Sequence, residues 1–244
     1  DITPAKMDVN GLAQQTLLST DLVVNGEFSA VGMDTIGYAV GGSVMSDSQR
    51  YYFDDTGDGT IDNRGSRTIQ SVFSEVVLPV TEKLEFDLAA RYDHYSDFGS
   101  TVNPKLSSKY MLTDKALLRA AVGTGFKAPV YSRLYGKVQK GLTDVIDRKY
   151  CAEHPNQVCE ATEASYTLNA NPNLKEEKSI FYTVGAAIEV NTDTTLSVDY
   201  WYTKANSIVV EPDLELATRA ELQGVNLRDY GIQITRDATG DRKS

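Results

Sequence analysis

Three groups of residues in this 244-residue chain have types and spacings that suggest chemistry. Cys151 and Cys159 bracket CAEHPNQVC, close enough for a small disulfide loop made in an oxidising compartment. Two free thiols are the alternative, and a metal site less so, because His154 alone adds a poor ligand set. Asp54, Thr56, Asp58, Gly59 and Asp62 partly match a calcium loop, in which alternate oxygens wrap a hard cation around a glycine bend. Thr56 is a weak ligand there, and Gly65 stands where a bidentate Glu is expected, so a solvated Asp-Gly hairpin loop competes with calcium. Tyr131, Tyr135, Tyr150 and Tyr166 fall in one stretch without periodicity, where they either contact a ligand by stacking and hydroxyl groups or pack that stretch upon itself.

Catalysis is not indicated. The two histidines, His94 and His154, lie in different contexts, and neither GxSxG nor HExxH occurs. A net charge of -10 without a basic stripe speaks against nucleic-acid binding. Hydrophobic residues make up 41%, yet no apolar run reaches the length of a helical membrane span, about 18 residues. A membrane barrel stays allowed, since alternation leaves one face greasy while mean hydropathy is negative.

The elements that must carry these residues are strands. In KLEFDLAARYDHYSDF, residues 83–98, Leu84, Phe86, Leu88, Ala90 and Tyr92 share one face and Glu85, Asp87, Ala89, Arg91 and Asp93 the other. Lipid on one side and a wet, charged interior on the other demand this pattern. The same alternation predicts strands over 22–29, 36–53, 67–80, 104–112, 116–124, 178–190 and 195–206, eight in all. Residues 1–20 read as a loop, 213–223 as a short helix and 237–244 as a turn-rich tail.

Connections alternate in length. Short ones fall at 30–35, 81–83, 113–115 and 191–194, longer ones at 54–66, 98–103, 125–177 and after 206. Short turns at one end and long loops at the other describe an outer-membrane wall with the periplasm at the short end. Both ends of the chain then fall on the outside, which points to an internal piece of a larger barrel; a small closed barrel of eight strands is the lesser alternative. No charged-then-apolar leader begins the sequence, as expected of a processed or partial exported protein.

RYDHYSDFGSTVNPKLSSKYMLTDKALLRAAVGTGFKAP, residues 91–129, closely resembles the barrel signature of TonB-dependent outer-membrane receptors. Asn171, Pro172, Asn173, Leu174, Lys175 and Glu177 resemble a second element of that family, and Ser74, Glu75, Leu78 and Pro79 a third. The resemblance implies an all-β antiparallel transmembrane barrel of 22 strands, of which 1–244 would be a partial barrel domain. It implies a Gram-negative outer membrane, a plug domain inside the barrel, energy from the TonB complex, and import of a small molecule such as a ferric siderophore. The plug, the TonB-contacting box and an aromatic C-terminal strand are not in this sequence, and Ser43 and Met45 stand where many relatives carry Glu and Arg. Glu75, Glu85, Asp87, Arg91, Lys105, Lys109 and Arg119 would line the interior, facing the plug, each other or water. The competing function is a surface-binding or adhesive barrel without transport.

Overall fold

The computed structural model describes residues 9–29, 35–55, 59–210 and 213–236, with the side chains of 9, 10, 54, 55 and 59–61 outside the description. It divides into two units, Asp1–Tyr135 with Asn171–Ile208, and Gly136–Ala170 with Val209–Ser244.

The first unit is an eight-stranded antiparallel sheet. Its strands are β1 (Val9–Ser29), β2 (Thr35–Asp55), β3 (Gly59–Thr81), β4 (Leu84–Tyr95), β5 (Gly99–Thr113), β6 (Ala116–Lys127), then, beyond the second unit's first segment, β9 (Glu177–Asn191) and β10 (Thr194–Asn206). Each pairs with the next, in the order β1-β2-β3-β4-β5-β6-β9-β10. Among the described residues of the unit, one helix, α1 (Tyr131–Tyr135), accompanies this sheet.

Register keeps the two faces apart across every strand. Val24 lies opposite Val40, Val40 opposite Ser74, Leu78 opposite Phe86, Leu84 opposite Tyr110, Leu118 opposite Ala186 and Ala186 opposite Val198. Even-numbered residues thus form one apolar surface, and it is bare: Leu22 is 73% exposed, Val198 and Tyr200 each 68%. A continuous apolar surface of this extent is incompatible with water and suited to lipid. The odd-numbered face carries a charged ladder, with Lys109 bonded to Glu85 at 3.0 Å, Lys105 and Ser107 to Asp87 at 3.3 and 2.9 Å, and Arg119 paired with Asp199 across β9.

Close strand packing depends on glycines set directly opposite large side chains. Gly41 faces Phe73 and Gly123 faces Phe181, and a Cβ on either would come within 2.6 Å of the opposing ring. Each ring therefore lies down over the partner strand's backbone, shielding hydrogen bonds that a bare glycine would leave open.

Two-residue turns join β3 to β4, β5 to β6 and β9 to β10. At the other end stand the connections 56–58, 96–98 and the long segment 128–176. This preserves the expected two-ended asymmetry but corrects four of its details. Residues 9–20 are strand, not loop, because β1 continues its ladder with β2 up to Val9 opposite Asp55. Backbone pairing sustains that stretch above the lipid level, where no apolar alternation is required. The long loop expected at 54–66 shrinks to 56–58, since β3 starts at Gly59. The loop expected at 98–103 shrinks likewise: Gly99, at φ 114°, ends the turn and lets residues 99–103 pair with β4. The stretch 125–177 is not structureless. The turn expected at 30–35 and the tail 237–244 lie outside the described residues, apart from Thr35, which opens β2.

The second unit contains a hairpin, β7 (Gln139–Val145) with β8 (Thr162–Leu168), and two helices, α2 (Arg148–Glu153) and α3 (Leu214–Leu222). The helix expected over 213–223 is thus present, capped by Asp213, whose carboxylate accepts from Leu216 N at 2.9 Å.

Candidate ligand-facing site

β3 outruns β4. Its pairing with β4 begins only at Ile69, so the upper part of β3 has β2 on one side and, among the described residues, no strand on the other. There α1 folds down. Gly65 forms the seat, because any Cβ at that position would overlap the Tyr131 ring. The Tyr131 hydroxyl donates to the Asp47 carbonyl at 2.9 Å, and the Arg67 guanidinium lies 4.2 Å from the ring centre. Arg67 also donates to the Pro129 carbonyl at 2.9 Å and pairs with Asp97 at 3.2 Å, both side chains being almost wholly buried. Burial pushes the Tyr131 hydroxyl above its ordinary pKa against the opposite pull of Arg67, so it is a neutral donor at physiological pH. Beside this cluster Asp93, 2% exposed, accepts from Ser71 at 2.6 Å and Arg91 at 2.8 Å.

The return to the sheet is fixed similarly. Asn171 N donates to the Arg133 carbonyl at 2.8 Å and Lys175 Nζ to the Phe98 carbonyl at 3.0 Å. Burial disfavours the charge on Glu176, but bonds from its own backbone and from Lys178 outweigh that and hold the carboxyl below its ordinary pKa.

In the second unit, Cys151 and Cys159 form the expected disulfide, with Cα atoms 5.5 Å apart. Asp147 caps α2, accepting from Lys149 N and Tyr150 N at 3.1 Å. Ion pairs fasten α2 to α3: Arg148 to Glu215 at 2.6 Å and Lys149 to Glu221 at 3.1 Å. Arg236 joins Asp147 and Glu221 at 2.8 and 2.7 Å. The Arg236 bond, with Lys149 behind it, draws the Glu221 carboxyl below its ordinary pKa. Thr218, 1% exposed, accepts from Arg148 N at 3.1 Å and donates to Glu215 O at 2.9 Å.

The four candidate tyrosines divide between the units. Tyr131 holds α1 down, and Tyr135 follows it one turn later, the only exposed member of the four. Tyr150, just before the disulfide loop, stacks on His154 at 4.1 Å and donates to Gln157 at 2.8 Å, both within that loop. Tyr166 lies across the ladder from Gly141, against which its ring packs. Of the calcium candidates, Asp58 and the Asp54 side chain lie outside the described residues. Asp62 is clasped by Arg50 at 3.1 Å and Arg64 at 2.8 Å. Tyr135 lines an open recess of about 570 Å³ with Gln14, Thr16, Ser48, Arg50, Arg64 and Ser66. Sequence reasoning missed this recess and the Arg67 cluster, since both arise where strands project past the apolar band.

Comparison with known proteins agrees with this architecture. The family model "TonB dependent receptor-like, beta-barrel" matches residues 5–234. Among solved structures, the siderophore receptor PirA of Acinetobacter baumannii is similar at 18% identity and a TM-score of 0.60. A mutant ferric enterobactin receptor PfeA of Pseudomonas aeruginosa, in complex with enterobactin, gives 17% and 0.60. Each match covers 79% of this chain and 27% of the receptor, so this chain spans about a quarter of their length. The RagAB peptide transporter follows at 14% identity and 0.57, with 84% of this chain and 25% of that one covered. No curated protein matches the sequence. With its sheet, its two faces and nearly its whole sequence matched, the chain belongs to the TonB-dependent receptor-like β-barrel family.

Proposed function

We propose that this chain is part of the wall of an outer-membrane active transporter for a scarce small-molecule nutrient, a ferric siderophore or a similar chelate. The observation that carries the reading is the sheet of one apolar and one charged face, with two-residue turns joining its strands at one end and longer connections at the other. The likeness to PirA and PfeA supports the chelate, and the likeness to RagAB keeps peptides as the second substrate class to test. In this reading the charged face meets a plug contributed by the rest of the protein, TonB supplies energy through that plug, and the exposed Tyr135 and the second unit offer ligand contacts.

The test is uptake by the full-length gene product in a Gram-negative strain stripped of its own siderophore receptors. Radiolabelled iron should enter with at least one siderophore class and stop entering when TonB is removed. Binding of ligand or of a surface partner without TonB-dependent uptake would replace transport with adhesion, and uptake of peptides alone would replace the chelate.

A further inference from the structure

Above the lipid level, the odd-numbered, inward face of β1–β3 has a direction built into its hydrogen bonds. Asp47, 9% exposed, lies opposite Leu17 on β1 and Arg67 on β3. One row higher Gln15, Gln49 and Gly65 stand in line, and Ala13, Tyr51 and Asn63 form the row above that. Both glutamines reach back to Asp47: Gln15 Nε2 donates to Oδ1 at 3.0 Å and Gln49 Nε2 to Oδ2 at 3.4 Å. A carboxylate offers only acceptors, so it fixes which way each amide is turned. The nitrogens face the wall, and the two Oε1 oxygens are left for whatever lies against it.

Neighbouring donors are spent in the same way. The Ser71 hydroxyl and Arg91 Nε both go to Asp93, at 2.6 and 2.8 Å, and the Tyr131 hydroxyl goes to the Asp47 carbonyl. Charge points in the same direction. Arg67 is matched by Asp97 and Arg91 by Asp93, whereas among the described residues no cation bonds Asp47, which neutral amides alone hold. Amides solvate a buried carboxylate without cancelling it, and with protein behind it the charge acts into the interior above the sheet. The Tyr51 ring, 51% exposed, adds a face that favours cations over anions.

We infer that this inward patch of Gln15, Gln49 and Tyr51 over Asp47 selects the charge class of the imported chelate: an uncharged or cationic ferric hydroxamate, and not an anionic ferric catecholate. A hydroxamate gives up one proton on binding iron, so three of them neutralise the ferric ion, and the chains that carry them bear amide N–H or ammonium groups. Such a ligand brings donors to the two amide oxygens and positive charge toward Asp47. A catecholate gives up two protons, so its ferric complex is strongly anionic and presents acceptors. Acceptor would then meet acceptor above a negative charge, which is how a binding surface rejects the wrong partner. The inference rests on the chelate import proposed above and adds which chelate.

The test is equilibrium binding of two radiolabelled probes to the full-length protein in detergent: ferrioxamine B, a cationic trihydroxamate, and ferric enterobactin, an anionic tris-catecholate. The wild type should bind ferrioxamine B roughly tenfold more tightly, the worth of one partly screened charge, and the gap should narrow as salt is raised. Gln15→Lys with Gln49→Lys should reverse the order of the two probes. Gln15→Ala with Gln49→Ala should weaken binding of ferrioxamine B and leave that of ferric enterobactin unchanged. Heat-shifted electrophoretic mobility certifies the fold of each variant, and the alanine pair decides if the lysines disturb assembly. Ferric enterobactin bound as tightly as ferrioxamine B by the wild type, or an equal change for both probes in the variants, overturns this inference and leaves chelate import standing. Binding of neither probe overturns the chelate reading and this inference with it.

Discussion

The ring of Tyr131 is held between the backbone at Gly65 and the guanidinium of Arg67, whose centre is 4.2 Å from the ring. The first helix after β6 is thereby fixed to the upper edge of β3. Tyr131→Ala should undock it at a local cost of about 3–5 kcal/mol, as for other buried aromatic truncations. Tyr131→Phe, which loses only the bond to Asp47, should cost about 1 kcal/mol. Limited proteolysis of segment 128–138 in the folded barrel separates the two: rapid cleavage for Ala, near wild-type resistance for Phe.

Two ion pairs of the same unit should respond in opposite ways to removal of one partner. Arg67 and Asp97 are buried at 6% and 4% exposure, so Asp97→Asn leaves a buried guanidinium uncompensated and should cost about 3–5 kcal/mol. Arg119 and Asp199 are open to water, and Asp199→Asn should leave the melting temperature unchanged. Thermal unfolding in one detergent, at low and high salt, checks both.

Gly123 and Phe181 form a coupled pair across β6 and β9. Gly123→Ala puts a methyl where the ring lies and should slow barrel assembly, while Gly123→Ala combined with Phe181→Ala should recover part of the loss. A double-mutant cycle on assembly yield or unfolding should give a coupling of about 0.5–3 kcal/mol, and additivity would show that the ring and glycine act independently.

The α2–α3 attachment should weaken in acid. Glu221 titrates below its ordinary value of 4.5 because Arg236 and Lys149 bind its charged form. A carboxyl lowered on folding stabilises the folded state fully above its unfolded value and ceases to do so as pH falls through its folded value. Hydrogen exchange in residues 148–153 and 214–222 should therefore be flat above pH 5 and, after correction for the intrinsic rate, rise below pH 4. Glu221→Gln should show the faster exchange already at neutral pH.

Cys151→Ser should destabilise the loop that follows α2. Closing so short a loop is worth about 2.5 kcal/mol in the chain-entropy account. Loss of protection confined to residues 148–160, with the barrel's melting unchanged, is the expected result.

How much of this was legible beforehand follows from where each residue stands relative to the membrane. Residues 84–92 announce their strand because lipid and water impose opposite demands on successive side chains. Residues 9–20 and 59–66 give no such sign, since above the lipid both faces of a strand are wet and only the backbone ladder defines it. The same reason hid the short connections at 56–58 and 96–98: Asp, Gly and Asn marked turns, yet β3 tolerates Asn63 and Gly65 within its pairing. The short helix over 213–223 was legible in outline, its Asp213 cap was not, and the paired cysteines announced their bridge. The Arg67 cluster and the recess beside Tyr135 could be found only once register had brought β2 and β3 together.

The second unit is assembled from two segments, Gly136–Ala170 and Val209–Ser244, with the whole of β9 and β10 lying between them in the chain. Arg148 answers Glu215, Lys149 answers Glu221, and Asp147 answers Arg236, each across that gap. Neither segment is therefore a free module for recombination or engineering. A chimaera that takes one of them from a relative inherits half of a charge code, and substitutions in one segment set which substitutions the other can accept.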